Sequence, residues 1–287
     1  MSVEGIEHTQ PRRRISVAII GAGGMSGLCM AVKLQDAGVD EFTIFEKADE
    51  VGGTWRDNTY PGLTCDVPSR YYTYSFRPNP PEWSHMLPPG PEIQQYFRQV
   101  ATERGLRHHI RFGTDVTDAT YRDGRWWVAT AAGVEAFDVL VTATGILRIP
   151  RYPDIEGLDT FAGPMFHSSR WDHSVSLPDK RIGLIGTGST GVQITAELGG
   201  EVRQLKVFQR SAQWICPWPN PEVSRGRGPR CAAGRGSTAS GTGSGAASSG
   251  RSSVWRRCVR AGNGGSTRRS AGGISVFPCV TGSSRPS

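Results

Sequence analysis

A chain of 287 residues has room for one large or two ordinary domains and a sizeable core. Its formal net charge of +7 would suggest an anionic partner, but residues 224–287 hold 11 Arg and no Lys, Asp or Glu. Positions 1–223 are left with 22 basic and 26 acidic residues, an ordinary soluble surface for which neither nucleic acid nor membrane is expected as a partner.

The six cysteines, at 29, 65, 216, 231, 258 and 279, form no CxxC pair and share no ligand spacing with the six histidines. Neither a zinc site, nor any other metal, nor a disulfide framework is indicated, and a reduced, cytoplasmic chain is expected. Arg12, Arg13 and Arg14 precede an uncharged run, Ile15 to Val32, in loose imitation of a twin-arginine or secretory leader. Four glycines break that run and no small-residue cleavage site follows, so it reads better as a buried strand entering a glycine turn.

After an N-terminal extension, 1–14, the apolar run "ISVAII" ends in "GAGGMSG". Met25, Leu28, Ala31 and Val32 then fall on one helical face up to Gly38. "FTIFE" is a second buried strand with Glu46 at its end. The stretch "VGGTWRDNTYPGLTCDVPSRYYTYSF" is aromatic and turn-rich, too long and apolar for a plain connector. From Pro91, the stripe Ile93, Tyr96, Phe97, Val100 and Ala101 predicts a helix. The Asp123-Gly124 and Ala132-Gly133 turns divide 110–136 into an antiparallel meander, and "FDVLVTATG" returns as a buried strand ending at Gly145.

A second strand, turn and helix begins at Arg181 with "RIGLIGTGSTGVQITAEL", followed by "QLKVFQR". The fold class is therefore α/β, with two Rossmann-like dinucleotide-binding units over 15–150 and 181–223, the second incomplete, joined by a linker at 151–180. Residues 224–287 hold 14 Gly and 14 Ser but only 6 Leu, Ile, Val or Phe, too little apolar surface to offset ordering entropy, and are expected to be disordered.

A glycine turn between strand and helix lets backbone approach a pyrophosphate and aims unpaired helix N–H groups at it. In the first unit Gly21 and Gly23 fit the GxGxxG pattern, while the third position falls on Ser26 with Gly27 one residue late. In the second, Gly186, Gly188 and Gly191 fit strictly, with Ser189 and Thr190 between them. Glu46 can accept from a ribose hydroxyl, which suits FAD or NAD. Arg210 and Ser211, at the end of the second unit's second strand, suit a 2′-phosphate and hence NADPH, because unit charges 4 Å apart interact by about 4 kcal/mol at an effective dielectric near 20.

Against this background "FAGPMFHSSRWD", residues 161–172, matches the fingerprint FxGxxxHxxxW followed by Pro or Asp at Phe161, Gly163, His167, Trp171 and Asp172. Residues 15–221 thereby resemble the flavin-containing monooxygenases, and more narrowly the Baeyer–Villiger monooxygenases. Trp171 carries the narrower assignment, since sister enzymes generally show Phe or Tyr there. "EKADEVGGTWRDNTYPGLTCDVPS" is similar to the group's flavin-contacting stretch, and "TATG" to its strand-end turn.

The resemblance implies FAD held by Gly21, Gly23, Ser26, Gly27, Glu46, Lys47, Gly53, Thr54, Trp55, Tyr72, Thr144 and Gly145. It implies NADPH held by Gly186, Gly188, Ser189, Thr190, Gly191, Arg210 and Ser211. Asp66, beside the flavin, resembles the acid that pairs with an active-site arginine, though a turn-capping role suits it as well. The implied reaction inserts one oxygen atom of O2 into a ketone, giving an ester or lactone, with the fingerprint coupling the two domains rather than doing chemistry. The Gly/Ser/Arg tail stands where relatives complete the NADP domain, and it reads like a shifted reading frame, so an inactive descendant is one expectation. A non-catalytic flavin-binding fragment and a heteroatom-oxidising enzyme are alternatives; a disulfide reductase would need a second cysteine beside Cys65. An arginine–glycine RNA-binding tail is a further reading of "RGRGPR".

Overall fold

A computed structural model describes residues 14–21, 23–78 and 83–223, together with the backbone of a strand at 274–278. The N-terminal extension and the rest of the Gly/Ser/Arg tail lie outside the described residues. Within the tail expected to be disordered, Ile274–Pro278 is extended and pairs antiparallel with Ile215–Pro219. "ISVFP" is rich in β-branched and aromatic residues, which suits it to extend a sheet edge.

The first unit is built on four parallel strands in the order β3-β2-β1-β7, where β1 is Val17–Ile20, β2 Phe42–Phe45, β3 Ile110–Arg111 and β7 Val139–Thr142. Helices α1 (Met25–Asp36) and α3 (Gly90–Glu103) cover one face, and the antiparallel meander β4 (Val116–Arg122), β5 (Arg125–Thr130) and β6 (Gly133–Phe137) covers the other. Side chains alternate across the sheet accordingly. Val17, Ile19, Phe42 and Ile44 join Leu28, Val32, Phe97 and Val100 under the helices, while Ala18 and Phe45 meet Val128 and Phe137 under the meander. Each of these fully buried large side chains is worth roughly 1.5–3 kcal/mol.

The strand expected to be buried at "FDVLVTATG" forms, but as the sheet's outer strand: Val139 is 41% exposed. Among the described residues it pairs on one side only, with β1. Between β2 and α3 the chain makes a short helix, α2 (Thr54–Asp57), and then doubles back on itself. The Thr64–Pro89 bridge, Cys65 N–H to Pro88 O at 2.9 Å and Ser69 N–H to Met86 O at 2.7 Å hold that return. Several of its aromatic residues are core: Tyr74 stacks on Phe76 and Tyr96, and Trp83 packs on Tyr96, while Tyr71 is exposed.

The second unit contributes β8 (Arg181–Ile185), α4 (Ser189–Leu198), β9 (Gln204–Phe208), parallel to β8, and β10 (Ile215–Pro219). The chain then straps back over the first unit. Asn220 brackets Leu87 with two hydrogen bonds of 2.7 and 3.0 Å, Met86 N–H donates to Pro221 O, and Val223 N–H donates to Ser84 O. A mixed apolar cluster joins the units: Tyr60 and Leu63 from the first, Trp171 and Leu177 from the linker, and Ile182, Leu184, Ile194 and Leu198 from the second.

Candidate dinucleotide sites and the junction between them

The first glycine turn lies in the crevice between the C-terminal ends of β2 and β7, on either side of β1, where strand order reverses and α/β sheets receive ligands. Gly21 has φ +97°, and a Cβ there would stand 2.6 Å from Ala143 O. The helix frame corrects the fingerprint read from spacing. Gly24, not Gly23, is the N-cap of α1, with φ −105° and ψ −179°, and Gly188 is the N-cap of α4 with φ −69° and ψ −179°. Gly24 and Gly27 therefore correspond to Gly188 and Gly191. Ser26 is exposed on the helix surface whereas Gly27 is buried, so Gly27 and not Ser26 occupies the position that Gly191 has in the second turn. The extra residue is absorbed at Gly23, whose N–H turns sideways to Glu46.

Glu46 directly follows β2 and is buried at 5% exposure. Its Oε2 accepts from Gly23 N–H at 2.6 Å and its Oε1 from Ala48 N–H at 2.9 Å, with the Arg56 guanidinium 3.4 Å away. Arg56, which the sequence did not single out, also donates to Glu50 O at 2.5 Å and to Asp57. Gly21, Gly24, Glu46, Lys47, Gly53, Thr54, Thr144 and Gly145 line one cleft with Arg56, Thr114, Asp115 and Arg148. Lys47 closes its rim through an exposed ion pair with Asp115 at 2.5 Å.

Trp55, Tyr72 and Asp66 lie outside that lining. Trp55 Nε1–H donates to the Tyr72 hydroxyl at 3.0 Å, the rings meet edge to face at 5.6 Å, and burial raises the Tyr72 phenol above its ordinary range. Asp66 faces α4. Beside it Cys65 is buried, and that burial pushes its thiol up to about 11.

The second turn repeats the first more plainly. Gly186 has φ +111°, and a Cβ on Gly191 would run into the Gly186 carbonyl oxygen. By contrast Gly188 has open space around it. Thr187, Gly191, Thr195, Val207, Gln209 and Gln213 line a cleft here. Arg210 and Ser211 follow β9 and are exposed beside the cleft, whose wall at that point is Gln209. Ser189 and Thr190 open α4, and Thr190 reaches the Tyr60 hydroxyl at 3.4 Å.

The fingerprint divides by job. His167 caps a 3-10 turn, accepting from Ser169 N–H at Nδ1 (3.1 Å), and Asp172 accepts from Ser174 N–H and Oγ at 2.9 and 2.6 Å. Those bonds from Ser174 lower the Asp172 carboxyl below its ordinary value. Phe161 lies over Gly163, where a Cβ would come within 2.8 Å of the ring. Trp171 packs edge to face on Phe166 and enters the cluster joining the two units. Among the described residues, no group of three or more His, Cys, Asp or Glu could hold a metal, and no helix is long and apolar enough to cross a membrane.

The flavin-binding monooxygenase-like family profile matches residues 14–219. An uncharacterized monooxygenase of Mycobacterium tuberculosis is 56% identical over 211 residues, covering 73% of this chain and 42% of its own. A Baeyer–Villiger monooxygenase of Streptomyces coelicolor is 45% identical over 220 residues, covering 76% and 42%. The crystal structure of cyclohexanone monooxygenase from Rhodococcus sp. Phi1 bound to NADP+ superposes with a TM-score of 0.66 at 37% identity, covering 74% of this chain and 41% of that one. The chain thus spans about 42% of the length of the curated relatives it matches. On sequence and fold together, the chain belongs to the flavin-binding monooxygenase-like family.

Proposed function

We propose that the cleft at Gly21, Gly24 and Glu46 takes FAD, that the turn at Gly186, Gly188 and Gly191 takes NADPH, and that the pair serves Baeyer–Villiger oxygenation of a ketone by O2. The observation that carries the reading is the matched pair of N-cap glycines, Gly24 and Gly188. Both have extended backbone at the mouth of a helix and, among the described residues, no atom within 4 Å of a Cβ position, which is the open approach a pyrophosphate needs. The residues present fit the groups.

Glu46 would hold the adenine ribose of FAD through oxygen capacity not taken by Gly23 and Ala48, since a carboxylate has about four acceptor sites. Lys47, Gly53, Thr54, Thr144 and Gly145 would frame the same ligand. Arg210 and Ser211 would meet the 2′-phosphate of NADPH, where exposure leaves the guanidinium free to swing onto it. Bound flavin supplies the redox and oxygen-activating chemistry. The chain's share is to bind, to orient, and to keep water from the junction, where Tyr60, Leu63, Trp171 and Ile194 form an apolar wall. Asp66 stands at that junction as the proposed acidic residue of the site.

The test is purification of the full chain followed by flavin absorbance, NADPH against NADH consumption, and chromatographic search for an ester or lactone from a cyclic ketone. A yellow protein that prefers NADPH and yields the oxygenated product is the expected result. A yellow protein that consumes no NADPH would reduce the function to flavin binding, and a colourless one that takes up no added flavin would end the proposal.

A further inference from the structure

Gln193, two residues beyond Gly191 on α4, is a polar side chain only 6% exposed, and every hydrogen-bonding position it has is used. Its Nε2 donates to Thr64 O at 3.1 Å and to Asp66 Oδ1 at 2.7 Å, while its Oε1 accepts from the Tyr60 hydroxyl at 2.9 Å and from Thr64 N–H at 3.4 Å. All of these partners belong to residues 60–66 of the first unit. Flipping the amide would set its NH2 group against the Thr64 N–H and its oxygen against two acceptors, so only this orientation satisfies the set. The backbones meet as closely: Gly62 has φ +78°, and a Cβ there would stand 2.8 Å from the Gln193 carbonyl oxygen.

We propose that Gln193 is a positioning residue, a latch by which the helix of the second dinucleotide unit fixes the 60–66 loop and the Asp66 carboxylate of the first. The sequence motif accounts for Gly191 through the turn but gives no reason for an amide two positions later, and an ordinary solvent-facing Gln would not be shielded in this way. One consequence is that any displacement of α4 at the coenzyme turn moves Asp66 with it. The latch stands on the geometry alone; its value to oxygenation rests on the FAD and NADPH reading.

The experiment is amide hydrogen–deuterium exchange on the full chain without added coenzyme, corrected for intrinsic rates, at pH 5 and pH 8. Gln193→Leu keeps the volume but takes from Tyr60, Thr64 and Asp66 the amide that ties them to α4, leaving Tyr60 only its contact with Thr190. Amides 62–66 are expected to exchange about tenfold faster at both pH values, with β1 and β2 unchanged. Gln193→Glu gives the readout that simple packing would not. Ionised, it opposes the Asp66 carboxylate, with Glu197 one turn along the same helix adding like charge; protonated, it can still donate to Asp66 and accept from Tyr60. Its loop is expected to loosen at pH 8 and to tighten back toward wild type at pH 5. Should Gln193→Leu loosen α4 as well, Tyr60→Phe decides, because it removes one hydroxyl donor and must loosen 60–66 while α4 stays protected.

An unchanged loop in Gln193→Leu, an unchanged loop in Tyr60→Phe, or a Gln193→Glu loop indifferent to pH would each overturn the latch. NADP+ titration of the wild-type chain is scored separately: absence of binding there sinks the coenzyme reading and leaves the exchange result standing.

Discussion

Gly23 and Glu46 brace one another: the glycine N–H reaches the carboxylate at 2.6 Å in a buried setting, and a Cβ on Gly23 would stand 2.8 Å from the same oxygen. The acid at the end of β2 is thus part of the turn's scaffold before any ligand arrives, and it also neutralises the largely buried Arg56. Glu46→Ala would leave the Gly23 and Ala48 N–H groups without their acceptor and Arg56 with Asp57 as its remaining carboxylate, freeing the turn at a cost of about 3 kcal/mol in urea unfolding. Glu46→Gln keeps an acceptor for Gly23 and should cost about half as much while weakening flavin retention more than tenfold, since a ribose hydroxyl donates better to a charged oxygen. Equal losses of stability and flavin binding in the Gln variant would argue that Glu46 is scaffold only.

The two N-cap glycines separate ligand binding from folding. Gly188 is surrounded by open space at an ordinary φ, so Gly188→Ala should leave stability within about 0.5 kcal/mol yet obstruct the pyrophosphate and cut NADP+ affinity at least tenfold. Gly24→Ala should do the same to flavin. Gly191→Ala behaves oppositely: its new methyl meets the Gly186 carbonyl, backbone that cannot turn aside, and should cost about 2 kcal/mol of stability whether or not ligand is present. Thermal unfolding beside equilibrium binding distinguishes the classes, and a destabilised Gly188→Ala would contradict them.

Arg210 is exposed beside a cleft whose wall is Gln209, so removing it breaks no packing. Arg210→Ala is expected to reduce the preference for NADP+ over NAD+ by about tenfold or more without moving Tm, and Arg210→Glu to reverse it. Titration of both nucleotides into each variant checks this; an unchanged preference would transfer the 2′-phosphate contact to another residue.

What the sequence could say about this molecule follows from how local the cause is. β1, α1, β2 and α3 announce themselves because Val17, Ile19, Leu28, Ile93 and Phe97 repeat at the period of the element that buries them. Spacing alone leaves the third place of the first turn between Ser26 and Gly27, since Gly23 and Gly24 are equivalent until the N-cap of α1 is located in space. Gln193 was invisible: a polar residue on an amphipathic helix reads as solvent-facing unless the 60–66 loop is known to lie over it. The return of Asn220 to Leu87 is equally long-range. Trp171 was found through resemblance, but its packing in the cluster that joins the units, which gives the fingerprint a physical reason, needed the tertiary structure.

Cys65 supplies a prediction whose sign runs with alkaline pH. Burial, the dominant influence, with Asp66 adding a smaller push, raises its thiol to about 11, and Val67 N–H donates to the sulfur at 3.4 Å. The folded chain therefore keeps this proton to higher pH than the unfolded one. The associated stability is complete below the ordinary thiol pKa and is lost as pH climbs through it toward about 11. Urea unfolding should show a decline of up to about 2 kcal/mol across that window from Cys65, removed by Cys65→Ala, while the buried Tyr60, Tyr72 and Tyr74 phenols, also raised by burial, add a decline of their own that Cys65→Ala leaves in place. At neutral pH the thiol stays protonated, so iodoacetamide should modify Cys65 at least tenfold more slowly in the native chain than in urea. Rapid native labelling, read by peptide mass mapping, would support a thiol–disulfide role for this unit; slow labelling leaves Cys65 as the small apolar side chain by which the 60–66 loop enters the core of the first unit.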